Sequence, residues 1–438
     1  MKLMSNLKKK QICAAIICGL MFTGGQAEAE EPVPDLYGAN EPHTVSGVTG
    51  YATRNSAEAV VTGADFIVTG SGWPTVYGGY SDSGAAVHDN KVTLNGTEVG
   101  YNVYGGYSSG GAVSRNTVII KGENVIKGTF SDGSGRVCGG YDDGTGGTVS
   151  GNTVIVEKDS TLKGFVYGGY GDSSSAKDVS GNNVYIYGTV DGDVYGGKIK
   201  NASGSITNNT VTLGKADDTD AKAQVKNLVL NEKGGKTTGG GILNVYNSGH
   251  SVGGKLLSND TDNFKLADGA TINFYINAAD MTQVPEKVKT MLTVGGPSTL
   301  GGVNIRAGVQ NAGKICQGDK IVLLHGDGNL VVSPELIKPM KASDGIMKAD
   351  LNIELSDNFV DLSDYKYAAS NGKIIATALS DAEADLGPDS AAKSPVETMA
   401  ASVSLINAGT DMMAGEAMTG AAQSTAISAA EGSASTLA

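Results

Sequence analysis

Five aspartates near glycine-rich turns are the first residues of this chain that could do acid–base chemistry. They are Asp82, Asp89, Asp142, Asp143 and Asp172. Enzymes that cleave polysaccharides bring two or three carboxylates together, often beside a lysine or arginine. The four arginines, by contrast, are scattered along the chain, at Arg54, Arg115, Arg136 and Arg306. We therefore interpret these acids as solvated turn residues and predict no enzyme, with a glycan-active lyase or hydrolase as the alternative.

Three other chemical motifs are incomplete. Asp-Ser-Gly at residues 82–84 and Gly-Asp-Ser at residues 171–173 each lack part of the Gly-Asp-Ser-Gly run of a serine protease. Residues 139–144 do not keep the glycine and aspartate spacing of a calcium-binding nonapeptide. Leu230 stands where a phosphate-binding loop ending in Gly235-Lys236-Thr237 would need glycine. The sequence therefore predicts no catalytic residues, cofactor or metal.

A row of tyrosines is the remaining candidate for a binding surface. Tyr80, Tyr107, Tyr141 and Tyr170 each end a Val-Tyr-Gly-Gly-Tyr motif or its close variant. Their recurrence predicts that they occupy the same position in successive structural units. Such a row of rings could bind sugars or a protein partner with little loss of side-chain entropy. The rings could also simply stack and cover an edge of the fold, so both interpretations stay open.

Two alternating motifs form the repeated unit that must position these residues. The first occupies residues 76–80, 103–107, 137–141, 166–170 and, in decayed form, 194–198. The second is an asparagine followed by a strand-like run, and it begins at Asn90, Asn116, Asn152, Asn182 and Asn209. The motifs alternate at steps of about 26 to 36 residues, which indicates a solenoid or a propeller.

The residue types favour a parallel β-helix. Both motifs are rich in β-branched and aromatic residues with period-two alternation, and they supply two strands and a loop per unit, fewer than a propeller blade needs. Stacked coils would place Val92, Val118, Val154, Val184 and Val211 above one another, about 4.8 Å apart. The asparagines would form an amide ladder between coils, and the paired glycines would bend the chain where a Cβ would clash.

The N-terminus carries an export signal. Three lysines at residues 8–10, an apolar run over residues 12–22 and Ala-Glu-Ala at residues 27–29 predict a signal peptide over residues 1–29. This segment holds four lysines and one glutamate, so its removal changes the net charge from −13 to about −16. Such acidity argues against nucleic acid as a partner. Cys138 and Cys316 remain, which is too few for a disulfide framework.

Composition divides the rest of the chain into four parts. We predict a polar lead-in or cap over residues 30–59, a repeat β-solenoid over 60–255, a more compact β segment over 256–383 and an Ala/Ser/Met-rich tail over 384–438. Ser394, Pro395 and Glu397 form a helix start within the tail. The predicted fold is therefore all-β, a parallel β-solenoid followed by a compact β segment, with a short C-terminal helix.

These features together resemble the passenger of a bacterial autotransporter, a type V secreted protein of Gram-negative envelopes. The matching elements are the signal peptide, the repeated motifs, the strand-rich closing segment and the runs at residues 394–397 and 404–411. The resemblance implies that residues 256–383 are an autochaperone-like segment and that residues 394–420 begin the helix that threads an outer-membrane barrel. Only 18 residues follow Gly420, so we expect the barrel itself to be missing from this chain.

The family resemblance also implies a location and a role. We expect an exported protein at the cell surface or outer membrane, or a periplasmic or secreted one if the barrel is absent. Its partners would be the outer-membrane translocation machinery and the glycans or proteins of host or biofilm surfaces. The implied function is that of an adhesin or interaction scaffold, whose affinity comes from many weak contacts along a rod.

Overall fold

The structure is a computed structural model that describes most of the chain between residues 43 and 383. The described residues are 43–46, 54–55, 61–62, 65–128, 135–172, 178–200, 203–256, 269–310, 313–341, 346–347, 349–363 and 366–383. All of them belong to one compact unit, Leu36–Ala438. The predicted signal peptide, the tail over residues 384–438 with its helix start, and most of the lead-in over residues 30–59 lie outside the described residues.

The chain folds as a parallel β-solenoid of about eight turns, which confirms the predicted fold class. Each turn has up to four strand positions, here called faces 1 to 4 in chain order. Face 1 holds Thr117–Lys121, Thr153–Val156, Asn183–Ile186, Thr210–Leu213, Ile242–Tyr246, Thr271–Ile276, Asn304–Val309 and Ile337–Pro339. Face 2 holds Glu123–Ile126, Thr161–Lys163, Thr189–Val190, Gln224–Val225, His250–Val252 and Thr290–Val294. Face 3 holds Arg136–Asp142, Phe165–Gly171, Val194–Ile199, Leu228–Lys233 and Ser298–Leu300. Face 4 holds Val61–Thr62, Val87–His88, Val113–Ser114, Thr148–Ser150, Asp178–Ser180 and Ser205–Thr207.

Two long strands run through faces 1 to 3 at the N-terminal end of the stack. They are Asp65–Ser81 and Lys91–Ser108, and they pair in parallel with each other. Before them, His43–Ser46 and Arg54–Asn55 pair in parallel with Asp65–Ser81. The sequence predicts two strands and a loop per coil, whereas the structure adds the short strands of faces 2 and 4. Strands of two to five residues are too short to produce a periodic pattern.

The apolar core follows the predicted columns. Val92 pairs in register with Val118, and Val118 with Val154, followed by Val184 and Val211, and all five side chains are fully buried. The columns belong to one cluster of buried side chains that runs from Val68 to Ala378. Because each coil buries its apolar residues only against its neighbours, the stack is stabilised step by step along its axis.

A ladder of buried asparagines accompanies the valine column, as predicted. Each side-chain amide donates to the Oδ1 atom of the next coil's asparagine at 2.7–3.0 Å. The ladder consists of Asn90, Asn116, Asn152, Asn182, Asn209 and, one coil further than predicted, Asn231. The backbone N–H of each of the first four also donates a hydrogen bond to Oδ1 of the next asparagine. The bonds fix the register of neighbouring coils because a shifted coil would leave buried amides without partners.

Parallel stacking continues beyond residue 256, where composition suggests a new segment. Ile242–Tyr246 pairs with Thr271–Ile276, which pairs with Asn304–Val309. The described stack then ends in antiparallel pairing, as Lys320–Val332 pairs with Lys366–Ala378. The other edge of Lys366–Ala378 pairs with Leu351–Leu355 and Val360–Ser363. The closing segment is therefore continuous with the solenoid at its start and turns antiparallel at its end.

Short elements complete the described part of the fold. Three 3₁₀ helices lie at Ala278–Asp280, Pro285–Lys287 and Pro334–Leu336. Lys236–Thr237 pairs antiparallel with Leu228–Lys233, and Lys314–Ile315 pairs antiparallel with Ala382–Glu383. Among the described residues, no helix has the length and hydrophobicity needed to cross a membrane.

Candidate functional site

The glycine pair of face 3 determines where the tyrosines lie. A Cβ on Gly79 would lie 2.5 Å from Nδ2 of Asn90, and a Cβ on Gly105 would lie 2.5 Å from the Gly139 carbonyl oxygen. Both positions of the pair therefore point toward the interior of the coil, where only glycine fits. The chain bends at the pair, and the tyrosines on either side of it project from the opposite side of the strand. Their rings form a cluster separate from the apolar core.

Strand register gathers the tyrosines of successive coils into two columns, which together we call the tyrosine face. The first column contains Tyr77, Tyr104, Cys138, Tyr167, Tyr195 and Val229. The second column contains Tyr80, Tyr107, Tyr141, Tyr170, Lys198 and Glu232. The structure thus brings together the four candidate tyrosines of the sequence prediction. That prediction missed the first column, although the second residue of the same motif could have indicated it.

Exposure differs along the second column. Tyr80 and Tyr107 are partly exposed, and their rings stack at 4.9 Å between centroids with 8° between planes. Tyr141 and Tyr170 are only 6% and 5% exposed. The four rings therefore do not form a uniformly accessible stripe. The part that solvent or a partner can reach lies at the N-terminal end of the column.

Cys138 interrupts the first column and changes the packing around it. It lies in register between Tyr104 and Tyr167, and its side chain is fully buried. The ring of Tyr141 approaches Tyr104 to 4.8 Å between centroids, and it meets Tyr170 edge to face, with 86° between their planes. A thiol is much smaller than a phenol, so the column lacks a fifth ring here, and Tyr141 contacts the Tyr104 ring of the preceding coil and the Tyr170 ring of the next one. These two ring contacts cover Tyr141, which is buried.

Carboxylates from neighbouring coils accept hydrogen bonds from the tyrosine hydroxyls. The Tyr107 hydroxyl donates to Asp143, and the Tyr141 hydroxyl donates to Asp172 at 2.6 Å. Burial raises the pKa of both phenols above the ordinary value, and the adjacent carboxylates raise it further. Burial would also raise the pKa of Asp172, but hydrogen bonds from Lys200 and Tyr141 outweigh it and lower that pKa. At neutral pH the site therefore holds neutral phenols, with the ionised carboxylate of Asp172 beside Tyr141.

Cationic groups balance these carboxylates. Nζ of Lys200 lies 2.7 Å from Asp172, and a guanidinium nitrogen of Arg136 lies 3.9 Å from the same carboxylate. The Arg136 guanidinium also lies 5.2 Å from the centre of the Tyr170 ring. At the C-terminal end of the column, Nζ of Lys198 lies 4.7 Å from the Tyr195 ring centre. These contacts are within the range of cation–π attraction and hold the buried rings in place.

The other candidate acids do not converge on one site. Asp82 is exposed, and Asp89 accepts two hydrogen bonds of 2.7 Å from Arg115. Asp142 is fully buried, with Oδ1 accepting from the backbone of Gly110 and Gly144. In the part of the chain that the structure describes, no group of three or more His, Cys, Asp and Glu side chains is arranged to hold a metal ion.

A shallow groove of about 360 Å³ at the turn between faces 1 and 2 contains two further carboxylates, which sequence analysis did not single out. Glu98 and Glu123 line it from adjacent coils. Each is paired with a lysine, Glu98 with Lys127 at 2.5 Å and Glu123 with Lys163 at 2.7 Å. The hydrogen bond from Lys163 lowers the pKa of Glu123. A general acid for glycoside cleavage needs a raised pKa, so Glu123 does not have the electrostatics of such an acid.

Comparison with protein-family models, curated proteins and solved structures found no match to this chain. What the tyrosine face can do must therefore be inferred from its own residues.

Proposed function

We propose that this protein is an autotransporter passenger, exported and displayed at the cell surface, where it is a rigid adhesion and interaction scaffold. The observation that carries the proposal is the tyrosine face, two columns of side chains held in register along the stack of coils. The N-terminal export signal and the acidic charge support display outside the cytoplasm. We assign no catalytic role to the face, because its carboxylates are engaged by phenols and cations.

Ring geometry defines what a partner would contact. Tyr107 stacks on Tyr80 at 8° and on Tyr141 at 16° between ring planes, so its two faces are largely covered by other rings. The accessible parts are ring edges and hydroxyl groups, together with the exposed carboxylate of Asp143. Such a surface offers hydrogen bonds to the hydroxyl groups of glycans or to the polar groups of a protein. A site of this kind binds weakly by itself, and many displayed copies on one cell would supply the avidity.

A glycan-active lyase or hydrolase is the alternative function. The groove with Glu98 and Glu123 supports it by placing two carboxylates on adjacent coils. The lysine partner of Glu123 opposes it, because Lys163 lowers the pKa of that acid, whereas a general acid must be protonated.

Three measurements test the proposal. Antibody labelling of intact and permeabilised cells reports surface display, and adhesion of cells with and without the gene reports the role. The purified chain is then applied to a glycan array and incubated with polysaccharides. We expect surface labelling, gene-dependent adhesion and binding without cleavage. Protein detected only after permeabilisation, or unchanged adhesion on deletion, would overturn the proposal, and released oligosaccharides would favour the alternative.

Paired variants locate the binding surface. The double substitution Tyr80→Ala and Tyr107→Ala should abolish adhesion while the circular dichroism spectrum stays that of a β-solenoid. Tyr101→Ala is the matched control, because Tyr101 is 49% exposed on the same long strand and has no ring contact among the described residues. Equal loss of adhesion in the control would show that the tyrosine face is not the binding surface.

A further inference from the structure

We propose that Tyr80 and Tyr107 form an oxidative cross-linking site, at which a haem peroxidase and hydrogen peroxide join the two rings as dityrosine. The product would be a covalent bond between two adjacent coils at the N-terminal end of the tyrosine face. This modification is independent of what the surface binds.

The backbone holds the two rings in a favourable arrangement before any reaction. Tyr80 and Tyr107 are 27 positions apart in sequence but are directly paired across two parallel strands. Their ring centres are 4.9 Å apart and their planes are 8° from parallel. Two rings this close and nearly parallel can bring their ortho carbons together by side-chain movement, without rearrangement of the strands.

Accessibility distinguishes this pair from the other stacked tyrosine pairs of the described residues. In each of the others at least one ring is buried: Tyr104, Tyr141, Tyr167, Tyr170, Tyr195 or Tyr246. In the Tyr80–Tyr107 pair both rings are partly exposed. A peroxidase intermediate, or a small phenoxyl radical released by it, can therefore take an electron from either ring.

Asp143 provides the proton acceptor that the oxidation needs. A phenol that loses an electron becomes a strong acid, and its proton must pass to a nearby base. The Tyr107 hydroxyl already donates to the carboxylate of Asp143, which is exposed to water. Burial and the Asp143 carboxylate raise the pKa of Tyr107, so the phenolate is not available and proton transfer accompanies electron loss. Asp143 can then release the proton to solvent.

The electrons and atoms of the reaction balance with peroxide as the oxidant. Each ring loses one electron and one hydroxyl proton, and the two phenoxyl radicals couple through the carbons ortho to their oxygens. Migration of the two ring hydrogens to oxygen restores both phenols. Peroxide accepts the two electrons and two protons and leaves as two molecules of water. The protein therefore loses two hydrogen atoms for each cross-link.

The experiment treats the purified full chain with a haem peroxidase and hydrogen peroxide. We expect dityrosine fluorescence in the monomer band, an intact mass reduced by two hydrogens, and a linked peptide pair containing Tyr80 and Tyr107. Tyr107→Phe should lose this linked pair, because phenylalanine keeps the stack but forms no phenoxyl radical. Asp143→Asn should slow its formation at neutral pH, because the variant lacks the carboxylate that accepts the phenol proton.

The matched control is Tyr101→Phe, which removes an exposed tyrosine outside the stack. It should leave the linked pair unchanged. The proposal is overturned if the linked pair persists in Tyr107→Phe, if it disappears in Tyr101→Phe, or if dityrosine is found only between chains in dimers.

Discussion

Asp142→Asn is expected to stabilise the protein at neutral pH, because this carboxylate is buried and only half satisfied. Its side chain is 0% exposed. Oδ1 accepts from the backbone N–H groups of Gly110 at 2.8 Å and Gly144 at 3.1 Å, while Oδ2 lies near the backbone of Gly147 without a hydrogen bond of standard geometry. The equivalent positions of the two preceding coils are Ser81 and Ser108, which are neutral. A charge at this position is therefore an exception within the stack.

The size of the effect follows from the raised pKa. Burial outweighs the backbone hydrogen bonds and raises the pKa of Asp142 from 3.8 to about 6. Since one pKa unit corresponds to about 1.4 kcal/mol, the ionised carboxylate destabilises the fold by on the order of 3 kcal/mol. The folded-state pKa exceeds the unfolded one, so the contribution of Asp142 to stability is most favourable below about pH 4 and is lost as the pH rises through about 6. Asparagine keeps an oxygen for Gly110 and Gly144 and carries no charge.

Urea unfolding of the parent protein and the variant, measured at several pH values between about 4 and 8, tests this linkage. The variant's advantage should be absent at the acidic end and reach on the order of 3 kcal/mol at the neutral end. His250 is buried with its pKa lowered to about 4, which favours the fold at higher pH and opposes Asp142. Comparing variant with parent at each pH cancels that contribution. Asp82→Asn, in the exposed part of an equivalent loop, controls for net charge. A pH-independent difference between Asp142→Asn and the parent would refute the reasoning.

Three further predictions concern the stack. Asn152→Ala should lower the free energy of unfolding by about 2–6 kcal/mol, measured in urea, because two buried N–H donors of the preceding coil lose their acceptor. Gly139→Ala should prevent native stacking as seen by circular dichroism, since its Cβ would lie 2.6 Å from a backbone carbonyl oxygen. Gly181→Ala, with open space around a left-handed backbone, should cost only about 1 kcal/mol. In native protein, iodoacetamide should modify Cys316 and spare Cys138, because burial raises the pKa of the Cys138 thiol to about 12. Peptide mass spectrometry measures the labelling of each cysteine.

Controls for these predictions come from the same chain. The Oδ1 atom of Asn231, the last amide of the ladder, accepts one ladder bond, from Asn209, where Oδ1 of Asn152 accepts two from Asn116. Asn231→Ala should therefore cost less than Asn152→Ala, and equal losses would contradict the ladder's role. Normal folding of Gly139→Ala would contradict the steric argument. Equal labelling of Cys138 and Cys316 would contradict the buried packing of the first tyrosine column.

The columns that recur in every coil could be predicted from the sequence. Asn116 and Val118 have counterparts at the same place in each repeat, and stacking them is the arrangement that buries all of them together. The continuation past residue 256 could not be predicted, because the motifs disappear there while backbone pairing persists. Ile242–Tyr246 still pairs with Thr271–Ile276 through main-chain hydrogen bonds, which do not depend on a repeated side chain.

The candidate site was predictable in position but not in exposure. The motif spacing places Tyr80, Tyr107, Tyr141 and Tyr170 in one column, and the strand register agrees. Their burial depends on the side chains around them, such as the Tyr104 ring beside Tyr141 and the Arg136 guanidinium beside Tyr170. The pairing of phenols with Asp143 and Asp172 depends on the path of the loops between coils, which no periodic pattern describes.

The asparagine ladder also bears on how the gene can change in length. Residues 117–152 span one period: they begin after the ladder residue Asn116 and end at the next ladder residue, Asn152. Their removal would join Asn116 to Thr153. Asn116 would then face Asn182, and every remaining amide would keep a partner. Recombination that duplicates or deletes one whole period thus keeps the asparagine ladder paired, whereas a partial deletion leaves buried amides without partners. The length of the solenoid can therefore change during evolution by one coil at a time.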